Sequence, residues 1–178
     1  MGDWEWETRT EPWSVTEIRN LIFLGNAYDS ENLEALNAHN ITHILNVADD
    51  VDNSFPGVFS YCNLHVADLG TDAGISRVFA KATLFVQSAL RENPSSKVLV
   101  HCAHGANRSA TVVIALLMQL ENLTLREAWI QVRRRRRFVS PLKDNQQELA
   151  KFEIQLHGKN SLKPGQFFSE EIMAITFV

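Results

Sequence analysis

Apolar positions along the chain change their spacing in a regular order, and that order predicts the elements. Residues 21–25 (LIFLG) form a short unbroken apolar run, the mark of a strand buried on both faces, and 41–47 (ITHILNV) repeats it with β-branched residues. Between them, 29–40 reads as a helix capped by Asp29 or Ser30. The stretch 49–57, with Asn53-Ser54 and Pro56-Gly57, is turn chemistry, after which 59–66 returns as a strand. Helical spacing resumes over 77–91, where Val78, Leu84, Phe85 and Leu90 supply an apolar face. A strand at 97–101 (KVLVH) leads through 102–107 into SATVVIALLMQL, which is apolar almost all round and so predicts a buried helix. Thr124 and Glu127 make a capping box for TLREAWIQVRRRRR, Ser140-Pro141 ends that connection, and 144–157 is a last amphipathic helix.

Alternation of strand and helix predicts a single α/β domain with a central, mostly parallel sheet flanked by helices. Residues 1–13, with Trp4 and Trp6 and no clean period, read as an N-terminal extension that pins its tryptophans onto the domain. The domain proper is expected over 14–157, and 158–178 is a tail without an assigned element.

Composition changes this picture little. With 178 residues, 45% of them apolar and 21% charged, the chain falls in the globular range, which excludes disordered and low-complexity classes. No apolar run reaches the roughly 18 residues of a membrane span, and the first residues lack a signal-peptide pattern. Trp6 stands where N-myristoylation needs Ser or Thr, so no lipid anchor is expected; the cytoplasm is the expected compartment, with the nucleus also open. Charge is more informative. The net charge is -4, but five arginines sit together at 133–137, and without them 12 basic residues face 21 acidic ones. Concentrated positive charge points to a local anion site rather than a surface that seeks nucleic acid. Two cysteines, Cys62 and Cys102, are too few for a disulfide framework, and no Cys/His cluster has metal-ligand spacing; no metal and no cofactor are expected.

The chemistry is concentrated in the predicted strand-loop-helix that carries His101, Cys102, Ala103, His104, Gly105, Ala106, Asn107, Arg108 and Ser109. A loop from the end of a strand to the start of a helix turns successive backbone N–H groups into one concavity and adds the positive end of the helix dipole, which suits a tetrahedral oxyanion. Gly105 lets the backbone turn tightly, and Arg108 can grip two phosphate oxygens with its planar fork. An arginine at a helix N-terminus is unfavourable for the dipole, which argues that an anion normally compensates it. The same field stabilises an anionic sulfur at Cys102, the nucleophile for displacing an alcohol from a phosphate ester through a phosphocysteine intermediate.

This HCxxGxxRS motif resembles the signature of the cysteine-dependent phosphatases, and the flanking sequence is similar to the dual-specificity protein phosphatase family from near Ile18 (IRNLIFLGNAYDSENLEALNAHNITHILNVADD) to about His157. The resemblance implies a hydrolase that dephosphorylates tyrosine and serine/threonine in proteins, with Cys102 as nucleophile and the backbone of Ala103, His104, Gly105, Ala106, Asn107 and Arg108 as phosphate cradle. It implies a general acid about thirty residues before the cysteine. Asp68, directly after a strand, matches the family's aspartate by position, with Asp72 as competitor. Ser109 matches the hydroxyl that helps the sulfur leave, and His101 a histidine that orders the loop. Val132, Arg133 and Arg136 match a segment that relatives use for a second phosphate, so Arg133 and Arg136 are candidates for a secondary anion site. After Pro141 the family pattern of Asn followed by Gly-Phe is replaced by Leu142, Asp144 and Asn145.

Three other readings stay open at this point. His104 and Asn107 also fit the HCxHGxNR form of RNA 5′-triphosphatases in the same superfamily, although Ser109-Ala110 follows here instead of Thr-Gly; nucleic acid is a partner only on that reading. A phosphoinositide phosphatase would use the same loop. A catalytically silent phosphate-binding module is disfavoured, because cysteine, arginine and acid are all present. Cys62 is expected as a core strand residue, with a protective disulfide to Cys102 as the alternative.

Overall fold

The computed structural model describes residues 15–70 and 73–177. Strands β1 (Thr16–Arg19), β2 (Ile22–Gly25), β3 (His43–Ala48), β4 (Ser60–Val66) and β5 (Val98–His101) form one sheet in the order β1-β2-β5-β3-β4. β2, β5, β3 and β4 run parallel, and β1 turns back antiparallel along β2 at the edge. β2, β3 and β5 are buried at every position, which is why they read as continuous apolar runs and not as alternating ones.

Helices cover both faces. α3 (Phe79–Glu92), α4 (Arg108–Leu120), α5 (Leu125–Arg135) and α6 (Lys143–His157) share one core with Leu24, Leu45, Val47 and Val100 of the sheet. Phe23, Ile44 and Leu99, one residue out of step and therefore on the opposite face, pack with Leu36, Ile41 and Phe59 under α1 (Ala27–Ser30) and α2 (Leu33–Ala38). α4 is the central helix: eleven of its residues, from Arg108 to Met118, are buried, as its all-round apolar sequence predicts. The Thr124–Glu127 capping box forms at the head of α5.

Three expectations change. The helix read over 29–40 is two short helices, because Asn26 and Asn32 each cap a new start by accepting from Asp29 N and Ala35 N; Asp29 is the capping-box partner of Asn26 and not itself the cap. β1, with only Ile18 buried among four residues, carries too weak a pattern to be read. The unassigned tail contains α7 (Glu170–Thr176), capped by Ser169, and places Leu162, Phe167 and Ile172 in the main core. The expected placement of Trp4 and Trp6 falls outside the described residues. No described helix is long and apolar enough to cross a membrane.

All four parallel strands end at the same edge, so the segments after Gly25, Ala48, Val66 and His101 converge there. In parallel sheets ligands bind beyond the carboxyl ends of the strands, and the motif loop emerges between two of these neighbours.

Candidate active site

Cys102 follows β5 and is buried, with its Sγ accepting the Gly105 N–H at 3.3 Å and lying 3.1 Å from Ser109 Oγ. The loop is held from outside. The carbonyl of Ala103 accepts Ala27 N–H (3.1 Å), that of Gly105 accepts Arg136 Nε (3.0 Å), and that of Ala106 accepts Ser140 N–H (2.7 Å). With these carbonyls tied outward to three different segments, the loop can turn its N–H groups the other way, which is what an oxyanion cradle requires. Gly105 has φ +67°, and a Cβ there would collide with the Gly25 carbonyl and the Arg136 guanidinium, so conformation and space both demand glycine.

Arg108 opens α4 and is 2% exposed. Its Nη1 donates to Asp50 Oδ1 (2.8 Å), Val66 O (3.0 Å) and Asp49 Oδ1 (3.4 Å), while Nη2 lies 3.7 Å from Asp68 Oδ2. Burial works against the guanidinium charge, but the Asp50 hydrogen bond and the charges of Cys102, Asp68 and Asp50 outweigh it and raise the Arg108 pKa; the same contact holds the Asp50 carboxyl below its usual range. The anions that compensate this arginine at a helix N-terminus are thus carboxylates of the protein.

Asp68 sits in a tight turn after β4, partly exposed, and accepts from Leu69 N–H (3.1 Å) and Asn107 Nδ2 (3.1 Å). The structure therefore gathers Asp68, Cys102, Asn107, Arg108 and Ser109. Asp72 lies outside the described residues. His104 is exposed on the loop. His101 is fully buried, and burial pushes its pKa down to about 4 against the pull of Asp29, so it is a neutral ring packed beneath the loop. Among the described residues no group of three His, Cys, Asp or Glu is placed to hold a metal ion.

Two expectations are corrected. Arg136 is too deeply buried to serve as the rim of a second anion site, and Arg133 is half-buried. Arg136 is 1% exposed, bracing Gly105 O and Thr16 Oγ1, and Arg133 donates to Val139 O and lies over the rings of Trp129, Phe168 and Phe177. The helix ends at Arg135, so the arginines beyond it do not follow helical spacing. The disulfide alternative also fails. Cys62 on β4 is in register with Leu45 of β3, which is in register with Val100 of β5. Two strand spacings, roughly 10 Å, separate Cys62 from the strand that leads to Cys102, whereas a disulfide needs Cα atoms about 4.4–6.8 Å apart.

Asp49, Asp50, Asn145 and the bracing role of Arg136 went unread in the sequence. Asp49 and Asp50 had one available signal: they immediately follow a predicted buried strand, where parallel sheets carry functional groups.

The profile of the dual specificity phosphatase catalytic domain matches residues 22–175 of this chain. The chain belongs to that family. Members similar to it include the dual specificity protein phosphatase Mpk3 of Drosophila melanogaster, 41% identical over 158 residues that are 87% of this chain and 36% of Mpk3. The protein phosphatase Slingshot of the same fly is 36% identical over 129 residues, 72% of this chain and 12% of Slingshot. The chain thus spans well under two thirds of these family members. Among solved structures, the human tyrosine phosphatase-like serine/threonine/tyrosine-interacting protein superposes with a TM-score of 0.72 at 30% identity, covering 79% of this chain and 96% of that one. A mouse putative dual specificity phosphatase, complexed with zinc tungstate, shares the fold with a TM-score of 0.76 at 23% identity, covering 85% of this chain and 93% of that one.

Proposed function

We propose that this chain is a cysteine-dependent phosphatase that hydrolyses phosphotyrosine and phosphoserine/threonine in proteins through a phosphocysteine intermediate. The observation that carries the reading is the seat of Cys102 at the floor of a loop whose carbonyls are tied outward, beside a buried Arg108 anchored through Nη1. In the first step the Cys102 sulfur attacks phosphorus, the bond from phosphorus to the ester oxygen breaks, and Asp68 gives its proton to that oxygen. The backbone N–H groups of residues 103–108 and the Nε/Nη2 edge of Arg108 hold the three non-bridging oxygens. In the second step water attacks phosphorus, Asp68 takes the water proton, and the sulfur leaves, aided by the Ser109 hydroxyl 3.1 Å away. These steps call for no metal and no cofactor.

Asp49 and Asp50, both substantially exposed beside Arg108, make the mouth acidic and favour a single phosphoryl group over the charge-dense end of a triphosphate RNA. Protein substrates are in keeping with the family's named members. A chemistry that depends on a reduced thiol suits the cytoplasm or nucleus.

The test is hydrolysis of aryl phosphates, a phosphotyrosine peptide and a phosphothreonine peptide, with triphosphate-ended RNA and a phosphoinositide in parallel. Turnover of both peptides that vanishes in Cys102→Ser is expected. Faster phosphate release from RNA or lipid would transfer the assignment to that substrate, and oxyanion binding with no turnover of any substrate would make the chain a phosphate-binding module.

A further inference from the structure

Asn107 is an asparagine at the N-cap of α4 that does not cap its own helix. Its backbone carbonyl takes the first helical bond from Thr111 N–H, but its side chain makes no bond to the first turn. The side chain is committed elsewhere. Oδ1 accepts Leu142 N–H and Asn145 Nδ2, each at 2.8 Å, from the start of α6, and a carbonyl facing two donors leaves the amide NH2 to point the other way. That NH2 meets Asp68 Oδ1 at 3.1 Å. Leu142 N–H can only donate, so the orientation of the Asn107 amide is fixed by its partners. A cleft lined by Val66, Leu69, Asp144, Asn145 and Glu148 separates the Asp68 turn from α6, so Asn107 spans the gap between them.

We infer that Asn107 is a positioning residue for Asp68, locking the carboxyl to the rigid head of α6 while the turn that carries it is otherwise partly exposed. Asn145 supplies the orientation of Asn107 at one remove. This inference rests on Asp68 being the acid of the proposed reaction. It also accounts for the altered sequence after Pro141: support for the phosphate loop comes from the Leu142 N–H and from Asn145, and both act through Asn107.

The experiment measures kcat and kcat/KM for aryl phosphates of rising leaving-group pKa, across pH, for the intact chain, Asn107→Ala, Asn145→Ala, Asp68→Asn and the Asn107→Ala/Asp68→Asn double variant, with tungstate inhibition as a measure of the phosphate cradle. Asp68→Asn is expected to lose most rate on the poorest leaving groups. Asn107→Ala is expected to lose about tenfold on those substrates and less than about twofold on the best. Asn145→Ala is expected to move in the same direction by less, and Asn107→Ala is expected to add nothing in the Asp68→Asn background. An Asp68→Asn variant without leaving-group dependence would sink the acid assignment itself. If Asp68→Asn shows that dependence while Asn107→Ala slows all substrates equally, weakens tungstate in proportion, or multiplies the Asp68→Asn defect, the positioning role is overturned and Asn107 merely holds the loop.

Discussion

Asp50 Oδ1 lies 2.8 Å from Arg108 Nη1, across 58 residues of sequence, so a half-exposed carboxylate anchors the back edge of a buried guanidinium. Nη1 is saturated by Asp50, Asp49 and Val66 O, so the fork that can face a phosphoryl group is Nε with Nη2, the latter 3.7 Å from Asp68 Oδ2. On this geometry Asp50 orients Arg108. Solvent screening limits the contact to about 1 kcal/mol, so Asp50→Asn is expected to weaken tungstate and raise KM by roughly fivefold. Tighter tungstate binding in Asp50→Asn would show that the carboxylate competes with the oxyanion instead.

The arginine run separates by burial and not by charge. Arg136 fills the space beneath Gly105 and donates to its carbonyl, whereas Arg135 is exposed. Arg136→Ala removes a buried cation from carbonyls that need its donors and opens a cavity beneath the loop, so a loss of roughly 3 kcal/mol of stability and most of the activity is expected. Arg135→Ala is expected to leave melting temperature and aryl phosphate turnover unchanged. Equal effects of the two substitutions in thermal unfolding and turnover would contradict the division.

Much of the fold was legible because a buried parallel sheet writes itself as apolar runs, and β2, β3 and β5 are of that kind. The cradle was legible because Cys102, Gly105, Arg108 and Ser109 lie within one loop and one helical turn. What escaped reading was whatever the topology brings in from afar. Asp50 reaches Arg108 only because β3 lies beside β5, and Asn145 reaches Asn107 only because α6 packs on α4. The family match set Arg133 and Arg136 apart from the other arginines of the run, but nothing in the sequence says that Arg136 folds inward to brace Gly105.

His101 gives the protein a pH-dependent stability with a definite sign. Burial lowers its folded pKa to about 4, below the unfolded value near 6.5, so the unfolded chain binds the proton more readily. Its contribution is fully present above about pH 6.5 and is lost as pH falls toward 4, by on the order of 3 kcal/mol. Urea unfolding from pH 7.5 to 4.5 is expected to show this decline, and His101→Asn, whatever its effect at neutral pH, is expected to flatten it. An unchanged slope in that variant would place the acid sensitivity in other groups.

The tail is expected to be indispensable to the folded body. Trp129 is fully buried, its Nε1 donates to Phe167 O at 2.8 Å, and its ring lies 5.2 Å and 5.4 Å from those of Phe167 and Phe168. The buried Glu153 of α6 accepts from Leu125 N–H at the start of α5 and from Ser161 N–H in the tail, each at 2.8 Å, so one carboxylate joins a helix N-terminus to the C-terminal segment. Ending the chain after His157 would strip the cover from Trp129 and leave its indole N–H without that acceptor. A loss of roughly 3–5 kcal/mol is expected, equivalent to a fall in melting temperature of about 10 °C or more for a chain of this size. Phe167→Ala, which removes the ring but keeps the carbonyl, is expected to cost somewhat less. A truncated chain that melts with the intact protein would show that the core closes without these residues.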